Sequence, residues 1–461
     1  MTDWLQLSEI ANLADAQWQG QDVAITGIST DSRRIQPGDL FVALKGERFD
    51  AHDFINPELE QRAQALMVHQ SVASDLPTLY VDDTLRGLSR WARAWRQQLS
   101  LKMLTITGSN GKTTVKQMCS SILAEMGSVC ATQGNLNNHI GLPLSLLKLR
   151  PEHDYAVMEL GANHQHEIAQ LSELTLADVS VITNAGPAHL EGFGSLDGVA
   201  QAKGEIIDGL SPAGSVILNA DDVYFEQWRQ RAGQRKVISF GCSRNADYSA
   251  QWLSDNSLQL KTPECELTIQ LALQGQHNAY NAAAAAAASA AMGATADAIR
   301  NGLSAMQAVT GRLQIHIGPR GETIFDDSYN ANPASVRAAI EVLAAATGNR
   351  YLVLGDMAEL GQSGGELHRA IGEFAKSKNI QKVYALGDLS RQAVEGFGQT
   401  AQHFFSHAEL LSKLLSDLNN QQACTTNILV KGSRSMSMEH IVTGLLATDE
   451  ASMAEAREGE C

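Results

Sequence analysis

Basic residues are in deficit in this chain: 35 Lys plus Arg stand against 51 Asp plus Glu, a net charge of −16. That balance excludes a surface that holds nucleic acid or anionic lipid by bulk attraction, so an anionic ligand has to be met by a local site. Cysteine is sparse and scattered. Cys119, Cys130, Cys242, Cys265, Cys424 and Cys461 show no paired spacing of the zinc or redox type, which fits reduced thiols in a cytosol. No long apolar run is present; the nearest, alanine-rich from Ala282 to Met292, is too short and too weakly apolar to span a bilayer. The opening stretch MTDWLQLSEIANLADAQW has no basic flank leading into an apolar segment. It therefore predicts no signal peptide and a soluble, cytoplasmic protein.

What is present is an ordinary globular composition, 44% hydrophobic and 19% charged. At 461 residues the chain exceeds one usual core, so two or three domains are expected. The most informative segment is LKMLTITGSNGKTT, Leu101 to Thr114, a β-type run that ends in a glycine-rich turn carrying a lysine and two threonines. Backbone N–H groups of such a turn converge on one concavity, the following helix offers its positive end, and a lysine adds a point charge for outer phosphates. The usual spacing would place the first glycine at Ile106, whereas the glycine sits at Gly108, so this is a shortened phosphate loop. Gly108, Ser109, Asn110, Gly111, Lys112, Thr113 and Thr114 are the candidate nucleotide-binding residues, with the Thr113 hydroxyl a ligand for Mg²⁺. ATP or GTP is the first inference.

The first hundred residues mix short β-type runs (39–44, 65–68, 78–81) with helical stretches and close on the amphipathic segment 85–99. They read as a small α/β domain, with Trp91 and Trp95, four apart on one helical face, as core packing. From Leu101 strand and helix alternate, which argues a parallel sheet covered on both faces, with ligands at the carboxyl ends of its strands. The glycine loop, Glu159 after YAVMEL and Asn184 after VSVIT lie at such ends. The run NAYNAAAAAAASAAMGA predicts a tightly packed helix from about Asn281. Past Gly311-Arg312 a third unit has strands at 323–325, 351–354, 382–386 and 427–430, three of them followed by Gly-Asp or Gly-Ser. That is a doubly wound, Rossmann-like sheet with its loops on one edge. The expected division is 1–100, 101–312 and 313–461, all α/β, with a frayed polar tail over the last fifteen residues.

Phosphoryl transfer needs Mg²⁺, ligands for it, and a group that orients the nucleophile. Glu159 fits a metal ligand or a helix cap equally well. His189 lies in NAGPAHLEGFGS, and Lys203 in QAKGEI, where it reads as a surface or helix-end lysine. Residue chemistry alone reaches a multidomain Mg-ATP protein, either an enzyme or a P-loop regulatory ATPase.

The motifs TGSNGKTT, MELGAN, NAGPAHLEGFGS, QAKGEI, QHNAYNAAAA, Gly311-Arg312 and DDSYNANP, in this order over nearly the whole chain, resemble the Mur ligases, the ATP-dependent amide-forming enzymes of peptidoglycan synthesis. DSRRIQPGDLFVALKGERFDAHDFI resembles the members acting on longer peptides. GNLNNHIGLPL, DDSYNANP and LGDMAELG resemble the member that joins D-alanyl-D-alanine to UDP-N-acetylmuramoyl-tripeptide. The preceding ligase, which adds diaminopimelate or lysine, reads diaminopimelate with an Asp-Asn-Pro-Arg motif that this chain does not contain. The folate polyglutamate type lacks the DSR-containing first domain.

The resemblance implies that Lys112 and the 108–114 backbone hold the ATP phosphates, and that Thr113 with Glu159 binds one Mg²⁺. His189 with a carbamylated Lys203 would hold a second Mg²⁺, the carbamate being derived from CO₂. It further implies Asn278 on the adenine, Arg312 on the phosphates and Asp327 on the ribose, so that ATP bridges two domains. The UDP-sugar would meet Thr30, Asp31, Ser32, Arg33, Lys45 and Gly46. Asn135, Asn137 and Asn138 would line the path to the metals, each with an alternative role in a turn. Ser433 and Arg434 would face the dipeptide, and a monomer with no nucleic-acid partner is expected.

Overall fold

The computed structural model describes residues 4–242, 245–253, 257–273, 275–420 and 425–447. The predicted frayed tail lies almost wholly outside them.

Three large sheets follow one another along the chain, and all three are mixed but dominantly parallel. The first has five strands in the spatial order Gln17–Gln19, Thr78–Tyr80, Ala65–Val68, Asp39–Val42, Gly27–Ser29; only the pairing of Gln17–Gln19 with Thr78–Tyr80 is antiparallel. Beside it Leu5–Gln6 pairs with Ala24–Ile25. The helix Thr84–Gln97, started by the Asp83 side chain accepting from the Arg86 N–H at 2.9 Å, closes this unit.

The central sheet has nine strands, with Lys102–Thr107 between Tyr155–Glu159 and Ala177–Ile182. A strand flanked on both sides and covered on both faces has no solvated face, which is why, after the exposed Lys102 that opens it, MLTIT is buried and apolar or hydroxyl-bearing with no polar alternation. Parallel pairing runs from Val129–Ala131 across to Tyr248–Trp252. The antiparallel extension Ser257–Lys261 and Glu266–Gln270, which the sequence reading did not anticipate, follows it. The alanine-rich helix forms over Gln276–Ala291, and alanines 282–288 are fully buried. Small side chains let it lie close against the helix Lys112–Ala124 behind the phosphate loop, and that packing excludes a membrane role for the segment. No helix among the described residues is long and apolar enough to cross a membrane.

The third sheet orders its strands Gln314–Ile317, Thr323–Asp327, Thr426–Lys431, Asn349–Gly355, Lys382–Leu386, Ala401–Phe404; only the first pairing is antiparallel. The four strands read from sequence are present. The two short edge strands are additions. Two apolar clusters cover the two faces of this sheet. The carboxyl ends of its strands face those of the central sheet, and the space between them is the site.

Candidate active site

The phosphate loop is built by close approach. Gly108 (φ 145°) and Gly111 (φ 83°) adopt backbone conformations open to glycine. A Cβ at Gly108 would stand 1.9 Å from Thr183 Oγ1, and one at Gly111 2.4 Å from Asn281 Oδ1. The loop is then pinned from the neighbouring strand end. Asn184 Oδ1 accepts from the Asn110 N–H at 3.0 Å, its Nδ2 donates to the Asn110 carbonyl at 3.1 Å, and Thr183 Oγ1 donates to the same carbonyl at 2.6 Å. Asn184 is thus a loop brace. Lys112 folds back to donate to the Gly108 carbonyl at 2.7 Å.

Glu159, the last residue of its strand, is buried and accepts from Thr113 Oγ1 at 3.0 Å and Asn137 Nδ2 at 2.9 Å, with Lys116 Nζ 3.9 Å away. A helix-capping role is therefore ruled out for it: both carboxylate oxygens face side chains at the loop. Asn138 takes the turn role, its Oδ1 accepting from the Ile140 and Gly141 N–H groups at 3.2 and 2.8 Å. Arg312 reaches across to Thr113 Oγ1 at 3.4 Å and stacks on the Tyr329 ring at 4.1 Å, and its Nε is buried without a partner.

A cavity of about 550 Å³ opens over these groups. It brings together Ser109 to Thr113, Asn135, Asn137, Asn138, Glu159, His189, Arg312, Ser433 and Arg434 from the sequence reading. Tyr329, Asn330, Asn332 and Glu359 join them from the third unit, and Asn163 and Glu167 from the central one. Asn332 Nδ2 donates to Asn110 Oδ1 at 2.7 Å, and Glu359 pairs with His189 Nδ1. Thr114 lies one residue farther along the helix, off the cavity.

Lys203 is not the exposed lysine its sequence context suggests. The helix Leu196–Gly204 starts at Ser195, whose Oγ accepts from the Gly198 N–H at 3.0 Å, and is held at its middle by the Trp228 indole donating to the Ala200 carbonyl at 2.9 Å. This turns Lys203 inward, 2% exposed, with its Nζ over the Phe193 ring at 5.1 Å and no hydrogen bond to a described residue. Phe193 in turn meets the His189 ring edge-on at 6.4 Å. Burial, and next the Lys112 charge, bring the Lys203 amine down to about 7. Burial likewise pulls Lys112, Lys116 and Lys431 below the usual ammonium range, and the Arg312 charge adds to the effect in each. Cations crowded and desolvated in this way are what a polyanion would relieve.

Asn278 and Asp327 sit deeper. Asn278 is buried, with Oδ1 accepting from Asn281 Nδ2 at 3.0 Å and Nδ2 against His277 Nε2 at 3.2 Å. Asp327 ends its strand, pairs with the buried Lys431, and accepts from the Leu313 N–H at 3.2 Å. Lys431 also donates to the Asn330 carbonyl at 2.8 Å, so this ion pair shapes the cavity wall. The first-unit candidates stand apart from the cavity. Arg33, 85% exposed, forms a two-pronged pair with Asp31 at 2.9 Å, which draws the Asp31 carboxyl down to about 2. Lys45 lies 3.6 Å from Asp50, and Gly46 N–H donates to the Phe49 carbonyl at 2.8 Å. Thr30 and Ser32 are on the same loop as Asp31.

Glu359, Tyr329 and Asn332 are site residues that sequence reasoning did not single out, although LGDMAELG and DDSYNANP contain them. The signal was the motif. The missing step was the spatial one.

Comparison with known proteins gives the same picture along the whole chain. Residues 24–83 match the Mur ligase family catalytic domain, 106–289 the Mur ligase middle domain, and 311–434 the Mur ligase glutamate ligase domain. The UDP-N-acetylmuramoyl-tripeptide–D-alanyl-D-alanine ligase of Escherichia coli (strain K12) is 45% identical over 444 residues, 95% of this chain and 98% of that one. A crystal structure of MurF from Acinetobacter baumannii superposes with a TM-score of 0.91 at 36% identity, covering 96% of this chain and 100% of that chain. MurF ligase from Thermotoga maritima in complex with ADP gives a TM-score of 0.81 at 27% identity, covering 94% and 98%.

Proposed function

The chain belongs to the Mur ligase family, and we propose that it joins D-alanyl-D-alanine to UDP-N-acetylmuramoyl-tripeptide at the expense of ATP, supplying the UDP-muramoyl-pentapeptide precursor of peptidoglycan. The observation that carries this reading is one cavity in which Lys112, Thr113, Glu159, His189 and Arg312 meet polar groups of a second sheet. A switch ATPase has no use for such a second half.

The phosphate loop and Lys112 bind the ATP phosphates, with Arg312 beside them. The tripeptide carboxylate oxygen attacks the γ-phosphorus, forming an O–P bond as the bond to the ADP oxygen breaks. The dipeptide amine then attacks the acyl carbon, loses a proton, and displaces phosphate. In this reading Asn278 serves the adenine and Asp327 the ribose, the loop at Thr30 to Arg33 with Lys45 and Gly46 serves the UDP-sugar, and Ser433 with Arg434 serves the dipeptide. Asn332 and Tyr329 of the third unit close the cavity and keep water from the acyl phosphate.

The donor set fits Mg²⁺. The Thr113 hydroxyl and the buried Glu159 carboxylate are hard oxygens for one ion. His189 with a Lys203 carbamate would hold a second. An unmodified Lys203 ammonium does not fit a metal, but its amine, brought down to about 7, is partly neutral near neutral pH and able to lose a proton and add to CO₂. When bound, the ions offset repulsion between the anionic carboxylate and the phosphoryl group.

The test offers purified protein ATP and UDP-N-acetylmuramoyl-tripeptide with D-Ala-D-Ala, D-Ala and diaminopimelate as competing amines, read by product mass. The dipeptide adduct should dominate. Equal turnover of single D-Ala, a diaminopimelate adduct, or ATP hydrolysis indifferent to the acceptor would overturn the reading.

A further inference from the structure

The Glu359–His189 pair joins residues 170 apart in sequence, one from each half of the cavity. Both depart from ordinary backbone: His189 has φ 54° and Glu359 φ 61°, a left-handed conformation uncommon outside glycine. Residues held this way persist where the surroundings over-determine them. On the Glu359 side the surroundings are visible. The Met357 N–H donates to Nε2 of the buried His368 at 2.9 Å, and the Ala358 N–H donates to Ser433 Oγ at 2.8 Å. Asp356 accepts from the Ser390 and Leu389 N–H groups at 2.7 and 3.1 Å while its carbonyl accepts from the Ser433 N–H at 2.9 Å. Three consecutive residues before Glu359 are therefore fixed, and the Glu359 carboxylate emerges from a rigid turn toward the ring it meets.

On the His189 side, the carboxylate takes Nδ1. A carboxylate only accepts, so Nδ1 carries the hydrogen, and in the neutral ring Nε2 then keeps its lone pair. That Nε2 makes no hydrogen bond to a described residue, and His189 lines the cavity. The Phe193 ring against the imidazole edge limits its rotation from the other side.

We propose that Glu359 is a positioning residue: delivered by the third unit, it fixes the tautomer and aim of His189 so that Nε2 can serve as a metal ligand only when the third unit is seated on the central one. This rests on the two-metal reading above and adds a coupling between the two halves of the molecule. A carboxylate behind a metal-binding histidine strengthens metal affinity about 10–100-fold. Here it would do so conditionally, because the carboxylate and the histidine belong to different units.

The experiment measures Mn²⁺ binding by electron paramagnetic resonance on the full chain saturated with the non-hydrolysable analogue adenylyl imidodiphosphate, in bicarbonate-containing buffer. Wild type should hold two ions. Glu359→Ala should weaken the second ion about 10–100-fold while analogue affinity changes less than threefold, and Glu359→Gln, whose amide oxygen can still accept from Nδ1–H, should recover part of the loss. Ligation by the same variants should fall in kcat with little change in the KM for D-Ala-D-Ala. Unchanged Mn²⁺ affinity in Glu359→Ala overturns the proposal, and so does a loss confined to dipeptide KM, which would make Glu359 a substrate contact. If wild type holds a single ion, the two-metal reading fails and this inference fails with it, whereas the ligase reading is decided separately by the product masses.

Discussion

The first unit and the third unit are attached to the central sheet by opposite chemistries. At the first junction a single apolar cluster runs without a break from Leu7, Ile10, Trp91 and Trp95 into Leu142, Leu146, Leu149, Ile168 and Leu171 of the central unit. Trp4 stacks on Trp91 at 5.3 Å and meets Trp95 edge-on at 5.7 Å, while Arg150 of the central unit covers it at 4.2 Å. The Trp95 indole donates to the Leu149 carbonyl at 3.0 Å, and Arg96 Nε donates to the Thr175 carbonyl at 3.0 Å. At the second junction no apolar cluster among the described residues crosses; the polar links include Asn332 to Asn110, Glu359 to His189, and the Glu191 N–H to the Glu359 carbonyl at 3.5 Å. Water can replace each of those, but it cannot replace a buried tryptophan. The first junction is a fixed seam. The second is held by polar contacts that water can replace, and we propose that it opens and reforms as substrates enter.

Truncating Trp95 to Ala should cost about 3–5 kcal/mol of stability, since a buried indole and its hydrogen bond are both lost. Urea denaturation gives the magnitude. Hydrogen exchange tests the seam, because protection should fall together in the first and central sheets and stay unchanged in the third; equal loss in all three sheets would erase the contrast between the junctions.

Lys203, on the central side of the open junction, yields a pH-dependent effect of the next size. Its amine sits at about 7 in the folded chain and near its ordinary value of 10.5 once unfolded. Between those values the unfolded chain binds the extra proton, so the lysine's contribution to stability rises with pH across that window. In CO₂-free buffer Lys203→Met should therefore be more stable than wild type below pH 7, on the order of a few kcal/mol. The advantage should shrink steadily and vanish by about pH 10.5, as followed by thermal unfolding. A pH-independent difference would show that the ammonium is not desolvated there.

The smallest effect on stability is expected at the polar junction. Asn332→Ser keeps an oxygen to cap the helix Pro333–Ala345 but gives up the donor to Asn110, so folding should change by less than about 1 kcal/mol. Ligation should nonetheless slow several-fold, and small-angle scattering with ATP and the UDP-sugar bound should show a larger radius of gyration than wild type. A variant that is clearly less stable yet fully active would reverse the assignment of the two junctions.

The phosphate loop was readable because its chemistry is local. Gly108, Gly111, Lys112 and Thr113 lie within six residues, and strand, turn and helix are each announced by their own residues. From its residues Glu159 was readable as a strand end, and only the family resemblance paired it with Thr113; its bond to Asn137 was not readable, since strand order has to be known before two strand ends can be called neighbours. The antiparallel strands Ser257–Lys261 and Glu266–Gln270 carry a two-residue alternation in SLQLK and ELTIQ that the strand-helix-strand reading passed over. Residue chemistry alone misread Lys203 as a surface lysine, a reading that only the family resemblance reversed. Small neighbours in QAKGEI look like a solvent-facing helix end, and only the Trp228 and Phe193 packing turns that end inward.

From the amino-acid order alone came the α/β class, the succession of three sheets, the phosphate cradle and, through its motifs, the ligase family. Those are properties of residues near one another in the chain, set by hydrophobic period, glycine conformations and the charge of a single loop. The folded arrangement settled which groups work together: that Asn110 meets Asn332, that His189 meets Glu359, that Arg312 crosses to Thr113, and that a lysine near a helix end loses its water. Those pairings depend on which strand ends share an edge and on how two sheets face each other, and burial and electrostatic coupling are sums over everything nearby in space, which no local stretch of sequence contains.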